Sequence, residues 1–142
     1  MPSINEIQKS IVEDFSFLPQ WDERYAYLIE LGQKMPSLDS AHKTEENIVR
    51  GCQSTVWLYR ECRDGKVHLE ADSDSLIVKG LAAILLQILS DQPAGDILTA
   101  ELTFFKETGL NKHLSSQRAN GLMAMIEQIR AFAKQCAAGG NQ

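Results

Sequence analysis

The sequence predicts an α+β fold on three observations: apolar residues at helical spacing near both ends, a central stretch that switches to period two, and an Asp-Gly turn signal inside that stretch. Near the start, Ser3 and Glu6 form a capping-box pattern in which each side chain satisfies a free backbone N–H. Ile4, Ile7, Ile11, Val12 and Phe15 then share one helical face, and Pro19 breaks the helix. A second helix is predicted over residues 21–31, with Trp21, Tyr25, Leu28 and Ile29 turned inward and Gly32 and Pro36 as its stop signals. Residues 37–47 are polar and read as a loop. Val56, Leu58 and Arg60 alternate with Trp57, Tyr59 and Glu61, Asp64-Gly65 marks a hairpin turn, and Val67, Leu69 and Ala71 supply the inward side of the returning strand. Residues 75–89 are helical and apolar nearly all round, which places that helix in the middle of the fold. Residues 93–107 suggest a short helix and a turn around Phe104 and Phe105. Ser115 or Ser116 caps a last helix over 117–135, with Leu122, Met125, Ile126, Ile129 and Phe132 as its buried stripe. A small antiparallel sheet packed against several helices results.

At 142 residues and 44% apolar content, the chain suits one compact domain over residues 1–136, followed by a flexible AAGGNQ tail at 137–142. A net charge of −5 without a basic patch argues against a nucleic-acid partner. The most apolar run, residues 81–89, is interrupted by Gln87 and falls short of the roughly 20 residues of a membrane span. The start does not resemble a signal peptide, so the protein is expected in the cytoplasm, away from membranes. Three cysteines, Cys52, Cys62 and Cys136, make an odd, widely spaced set unlike a secreted disulfide framework, and all three are expected to remain thiols.

Chemistry points to the segment from Asn47 to Trp57. Cys52 directly follows Gly51, whose conformational freedom leaves room for another group to reach the sulfur. Arg50 could favour the thiolate, whereas burial would oppose it. Cys62 ends a strand and Cys136 sits near the end of the last helix, so no thiol close in sequence is placed to resolve Cys52 as in a CxxC pair. Asp74, before Ser75, is a candidate helix N-cap, and Gln53 and Ser54 either bond the loop or lead into the strand. Trp57 belongs to the alternating sheet pattern. Gly80 interrupts its helix, a use that lets the cysteine loop or another backbone pack close. His113 reads as a solvated or capping histidine, because no geometry supports a Cys–His base pair.

The strings VRGCQSTVW at 49–57 and DSDSLIVKG at 72–80, with WDERYAYLIELGQKMP from Trp21 and HLSSQRANGL from His113, resemble the SufE family of sulfur-acceptor proteins. The Gln53-Ser54 pair is closer to the SufE branch than to the related CsdE branch. The resemblance implies a SufE/IscU-like fold and a specific activity. A pyridoxal-phosphate-dependent cysteine desulfurase, SufS-like, passes sulfane sulfur to Cys52, which holds it as a persulfide and relays it to an iron–sulfur scaffold complex; contact with the carrier also stimulates the desulfurase. The pyridoxal phosphate belongs to the partner, and no cofactor or metal is expected on this chain. Arg50, Gly51, Gln53, Ser54, Asp74 and Arg118 are then expected near the cysteine loop or the partner surface, with the sulfur sheltered until contact and room left for a homodimer. Positive charge at Arg118 opposes the dipole at a helix start, which adds weight to a loop or partner contact.

Thiol–disulfide-like exchange needs one accessible sulfur and no neighbouring resolving thiol, which suits Cys52. No turnover is expected without the desulfurase, and 142 residues are too few to be the desulfurase itself. The alternatives are an iron–sulfur scaffold, disfavoured by the lack of ligand-like cysteine spacing, a Cys-dependent hydrolase without a base or oxyanion site, and a non-covalent desulfurase-binding module.

Overall fold

The computed structural model describes residues 2–139. Ser3 starts α1 (Ile4–Ser16) through the reciprocal cap its sequence predicts: Ser3 Oγ accepts from Glu6 N at 3.1 Å, and the Glu6 carboxylate accepts from Ser3 N at 2.8 Å. Such a cap contributes about 1 kcal/mol. The helix buries Ile4, Ile11 and Phe15, and also Gln8.

Gly32 does not end α2 (Trp21–Lys34), contrary to its reading as a stop signal; Met35 is the C-cap. The glycine serves a tertiary contact instead. A Cβ on Gly32 would lie 2.8 Å from the backbone N of Gly80, and a Cβ on Gly80 would lie 2.2 Å from the Leu28 carbonyl oxygen. The two glycines let α2 cross α3 (Leu76–Leu89) backbone to backbone, with Leu28 fully buried beside the crossing. Trp21, Tyr25 and Ile29 are only partly buried against the core. Ser75 caps α3 by accepting from Val78 N at 3.3 Å, and ten residues of that helix are buried, consistent with its central place.

Strands β1 (Val56–Arg63) and β2 (Lys66–Ser73) form an antiparallel hairpin in register from Val56 opposite Ser73 to Arg63 opposite Lys66. Asp64 and Gly65 both have positive φ, 52° and 78°, the condition of a type I′ turn. Val56, Leu58, Val67, Leu69 and Ala71 turn inward. A two-residue strand β3 (Gln92–Pro93) pairs with Lys66 and Val67 and completes the order β1-β2-β3. The sequence pattern carries no sign of it, because two residues show no period, and proline fits only at such an edge.

The ambiguous stretch 93–107 resolves into α4 (Ala94–Thr99) and α5 (Phe104–Glu107), followed by α6 (Leu110–His113). Gln8 of α1 holds the segment ahead of α5: its Oε1 accepts from Thr103 N at 2.8 Å and Phe104 N at 3.0 Å, and its Nε2 donates to Glu101 O at 3.1 Å. Replacing Gln8 by Leu removes these bonds, strands the buried Phe104 N–H and is expected to cost about 2 kcal/mol in urea unfolding.

The last helix, α7 (Ser116–Ala137), is capped by Ser115, whose Oγ accepts from Arg118 N at 3.3 Å. It buries Leu122, Met125, Ile126 and Ile129 as expected, with Phe132 only partly buried and Cys136 buried in addition. The expected tail at 137–142 is helical or helix-capping as far as Gly139, whose N–H donates to Cys136 O at 3.1 Å; positions 140–142 lie outside the described residues.

Cys62 and Cys136 are joined in a disulfide across a sequence separation of 74, with Cα atoms 5.7 Å apart. This corrects the expectation of three thiols. The pairing exists only because α7 lies along the inner face of β1, where Cys62 shares the parity of Leu58 and Arg60, and no local pattern encodes that approach.

Candidate functional site

Residues 50–55 form a loop closed at its base by backbone pairing. Val49 N donates to Val56 O at 2.8 Å, and Ile48 bridges Trp57 in antiparallel fashion. Inside the loop, Gly51 takes φ +93°, a conformation that strains any residue with a Cβ. The turn it makes delivers Cys52 to the side of α7. Its thiol lies 3.8 Å from the Gly121 carbonyl oxygen, the acceptor nearest its S–H, and a Cβ on Gly121 would sit 3.4 Å from the sulfur. Gly121 is not among the residues singled out from the sequence. The available signal is a glycine inside a helical pattern, a placement that costs about 1 kcal/mol relative to alanine and calls for a packing reason.

Asp74 secures the far end of the loop. Its Oδ1 accepts from Thr55 N at 3.1 Å, its own N–H donates to Thr55 O at 3.3 Å, and Ser73 Oγ donates to the same carbonyl at 2.9 Å. The N-cap role weighed for Asp74 falls to Ser75.

The loop and the starts of α3 and α7 enclose a cavity of about 650 Å³. Cys52, Gln53, Ser54, Asp74 and Arg118 all line it, so five of the residues predicted from sequence converge, and Gly121 closes the wall behind the sulfur. Gly51 stands beside the cavity and shapes the loop. Arg50 is not brought in: its side chain points to solvent and pairs with Glu45 at 3.6 Å, both well exposed. It therefore gives the thiolate no support. His113 stacks on Trp21 with ring centroids 3.7 Å apart, and its carbonyl accepts from the Tyr25 hydroxyl, so it supplies no base to Cys52.

Burial pushes the Cys52 thiol above the ordinary cysteine range, with no charged side chain offsetting it. At rest the sulfur is a protonated, weakly nucleophilic thiol. Its alkylation by iodoacetamide is expected to be slower than that of a free cysteine at neutral pH. The rate should rise with a midpoint above the usual value of about 8.5 when followed from about pH 6 to pH 10. A midpoint at or below that value would contradict the role assigned to burial.

With Cys62 and Cys136 joined to each other, Cys52 is the free cysteine of the chain. At 1.5 Å per residue, Gly121 and Cys136 lie about 22 Å apart along α7, so the disulfide pair cannot reach a group held on Cys52. Among the described residues, no group of three or more His, Cys, Asp or Glu could hold a metal ion, and no helix is long and apolar enough to cross a membrane.

Fold and site together define an α+β protein organised around one free, half-buried cysteine on a glycine turn. The SufE family model, described as an Fe–S metabolism associated domain, matches residues 9–133, and the chain belongs to the SufE family. An uncharacterized SufE-like protein of Rhizobium meliloti (strain 1021) is 44% identical over 129 residues, covering 87% of this chain and 92% of the relative. A second uncharacterized SufE-like protein, from Rhizobium etli, is also 44% identical over 129 residues, covering 87% of each chain. The solution structure of a hypothetical protein from Thermus thermophilus superposes with a TM-score of 0.77 at 24% identity, covering 93% of this chain and 96% of that one, a likeness of fold.

Proposed function

We propose that the protein is a sulfur acceptor which takes sulfane sulfur from a pyridoxal-phosphate-dependent cysteine desulfurase onto Cys52, stimulates that enzyme, and passes the sulfur on toward iron–sulfur cluster assembly. Membership in a family associated with Fe–S metabolism supports the setting. The observation that carries the reading is the lone free thiol in a cavity that Gln53, Ser54, Asp74 and Arg118 also line, out of reach of the chain's other two cysteines. In the transfer step, the Cys52 thiolate attacks the outer sulfur of the donor's cysteine persulfide. The donor S–S bond breaks, the donor cysteine leaves as a thiolate, and Cys52 carries the persulfide.

The cavity is far larger than one sulfur atom, so it has space for an incoming donor segment as well as for the transferred atom. The starts of α3 and α7 turn their partial positive charge toward this space, and Arg118 adds a full one. These groups favour an anionic sulfur once a partner lifts the thiol from its half-buried position. Asp74 and Gly51 act as positioning residues that hold the loop in shape, and Gln53 and Ser54 offer hydrogen bonds at the rim. Cluster scaffolding, by contrast, draws on several converging thiolates, and the remaining two cysteines are bound to each other.

The test mixes the protein with a purified cysteine desulfurase and cysteine, followed by intact mass under non-reducing conditions. Wild type should gain about 32 mass units, one sulfur atom, and raise desulfurase turnover, while Cys52→Ser should do neither. An equal adduct on Cys52→Ser would refute the assignment.

A further inference from the structure

Besides core packing, three specific contacts tie α7 to β1 and its preceding loop. Cys52 meets Gly121 near the start of the helix, Arg60 Nη1 donates to Gln128 Oε1 at 2.9 Å in the middle, and Cys62 bonds Cys136 near the end. Beside the middle contact a cavity of about 330 Å³ opens between the two elements, lined by Tyr59 and Arg60 of β1 and by Gln128, Ala131, Phe132 and Gln135 of α7. The apolar side of this stretch is packed into the core through Ile129, Ala133 and Cys136, so at the solvent-side gap it is the Arg60–Gln128 bond and the covalent link that join helix to strand. Burial works against the Arg60 guanidinium there, and its side-chain partner is an uncharged amide. The two cysteines also differ in burial: Cys136 is buried at 5% exposure, whereas Cys62, at the end of its strand, is only partly buried against the core.

We propose that Cys62 and Cys136 form a second, reversible thiol–disulfide site for low-molecular-weight thiols, and that its redox state sets the hold of α7 on β1 and thereby the access of reagents to Cys52. A reagent thiolate attacks Sγ of Cys62, the less buried member. The Cys62–Cys136 bond breaks, and Cys136 leaves as a thiolate and takes up a proton. A second reagent thiolate attacks the reagent sulfur of the mixed disulfide and releases Cys62, which is protonated, together with the oxidised reagent. Two thiols have then supplied the two electrons; the reverse reaction uses the oxidised reagent, such as glutathione disulfide, as oxidant. In the bridged form α7 is pinned and Gly121 stays against Cys52. In the dithiol form the helix loosens from its C-terminal end, and openings that expose Cys52 become more frequent. The proposal does not depend on what Cys52 carries.

The full-length protein, equilibrated with either reduced glutathione or glutathione disulfide and freed of reagent, is treated with iodoacetamide, and each cysteine is followed by peptide mass. The oxidised sample should show Cys62 and Cys136 protected as a pair. The reduced sample should show both alkylated, Cys62 first, and Cys52 alkylated roughly threefold faster than in the oxidised sample. Glutathione disulfide also caps a free thiol as a mixed disulfide, so Cys52 rates are taken only from the fraction that carries no glutathione. The double variant Cys62→Ala/Cys136→Ala should match the reduced form whichever reagent is used; should it fail to fold, the two wild-type samples, counted in this way, still decide. Failure of glutathione disulfide to form the bridge, or equal Cys52 rates in both states, would overturn the proposal.

Discussion

Gly80→Ala is expected to lower unfolding stability by about 2–3 kcal/mol in urea titrations, with the midpoint shifted and the slope preserved. The added Cβ would fall 2.2 Å from the Leu28 carbonyl oxygen and 2.8 Å from both the carbonyl carbon and the Cγ of Leu28. Backbone atoms in the middle of α2 cannot yield as the tip of a flexible side chain can, so the two helices must move apart. That separation undoes close packing around Leu28, Leu81 and Leu85, all fully buried. Alanine's better helix propensity returns about 1 kcal/mol, too little to reverse the sign. Gly95→Ala is the matching control. It also lies in a helix, but its added Cβ has nothing within 4 Å, so that change should be neutral or mildly stabilising. Equal stability of the two variants would show that the α2–α3 crossing is not as close as described.

Reducing the Cys62–Cys136 bridge should lower stability by an amount approaching 4 kcal/mol, roughly the loop-closure entropy of so long a segment. The bond spans a sequence separation of 74, so it removes many conformations from the unfolded chain. Urea titrations with and without reductant measure the difference, and Cys136→Ser should reproduce the reduced curve. The loss would fall below about 1 kcal/mol if the unfolded chain already kept these segments together.

Features determined by short-range chemistry are legible in the sequence. The Ser3–Glu6 cap, the Asp64-Gly65 turn, the alternation along β1 and β2 and the apolar girth of α3 each depend on neighbours within a turn or two. Gly32 misleads because a glycine near a helix end carries the same local signal whether it caps the helix or lets another helix approach; Gly80, on the facing helix, decides between them. The disulfide, β3 and Gly121 depend on which distant segment arrives alongside, and nothing within Cys62, Gln92 or Gly121 announces that partner. At the site, Cys52 on its glycine turn can be picked out locally, and the resemblance to the SufE family supplies Gln53, Ser54, Asp74 and Arg118, which do gather around one cavity. Arg50 shows the limit of adjacency in sequence: two positions from Cys52, it turns the other way toward Glu45. The expected support for the thiolate is absent, and burial sets the resting state of the sulfur.

In the proposed function, sulfur is held on Cys52 and on no other residue of this chain. The most direct test of this assignment is peptide mapping after brief exposure to a purified cysteine desulfurase and cysteine, with an alkylating quench that traps persulfides before digestion. The extra sulfur, about 32 mass units, should appear on the peptide that contains Cys52, while the Cys62 and Cys136 peptides, joined or reduced, carry no persulfide sulfur. Sulfur found on Cys62 or Cys136, or on no peptide while the desulfurase turns over, would contradict it.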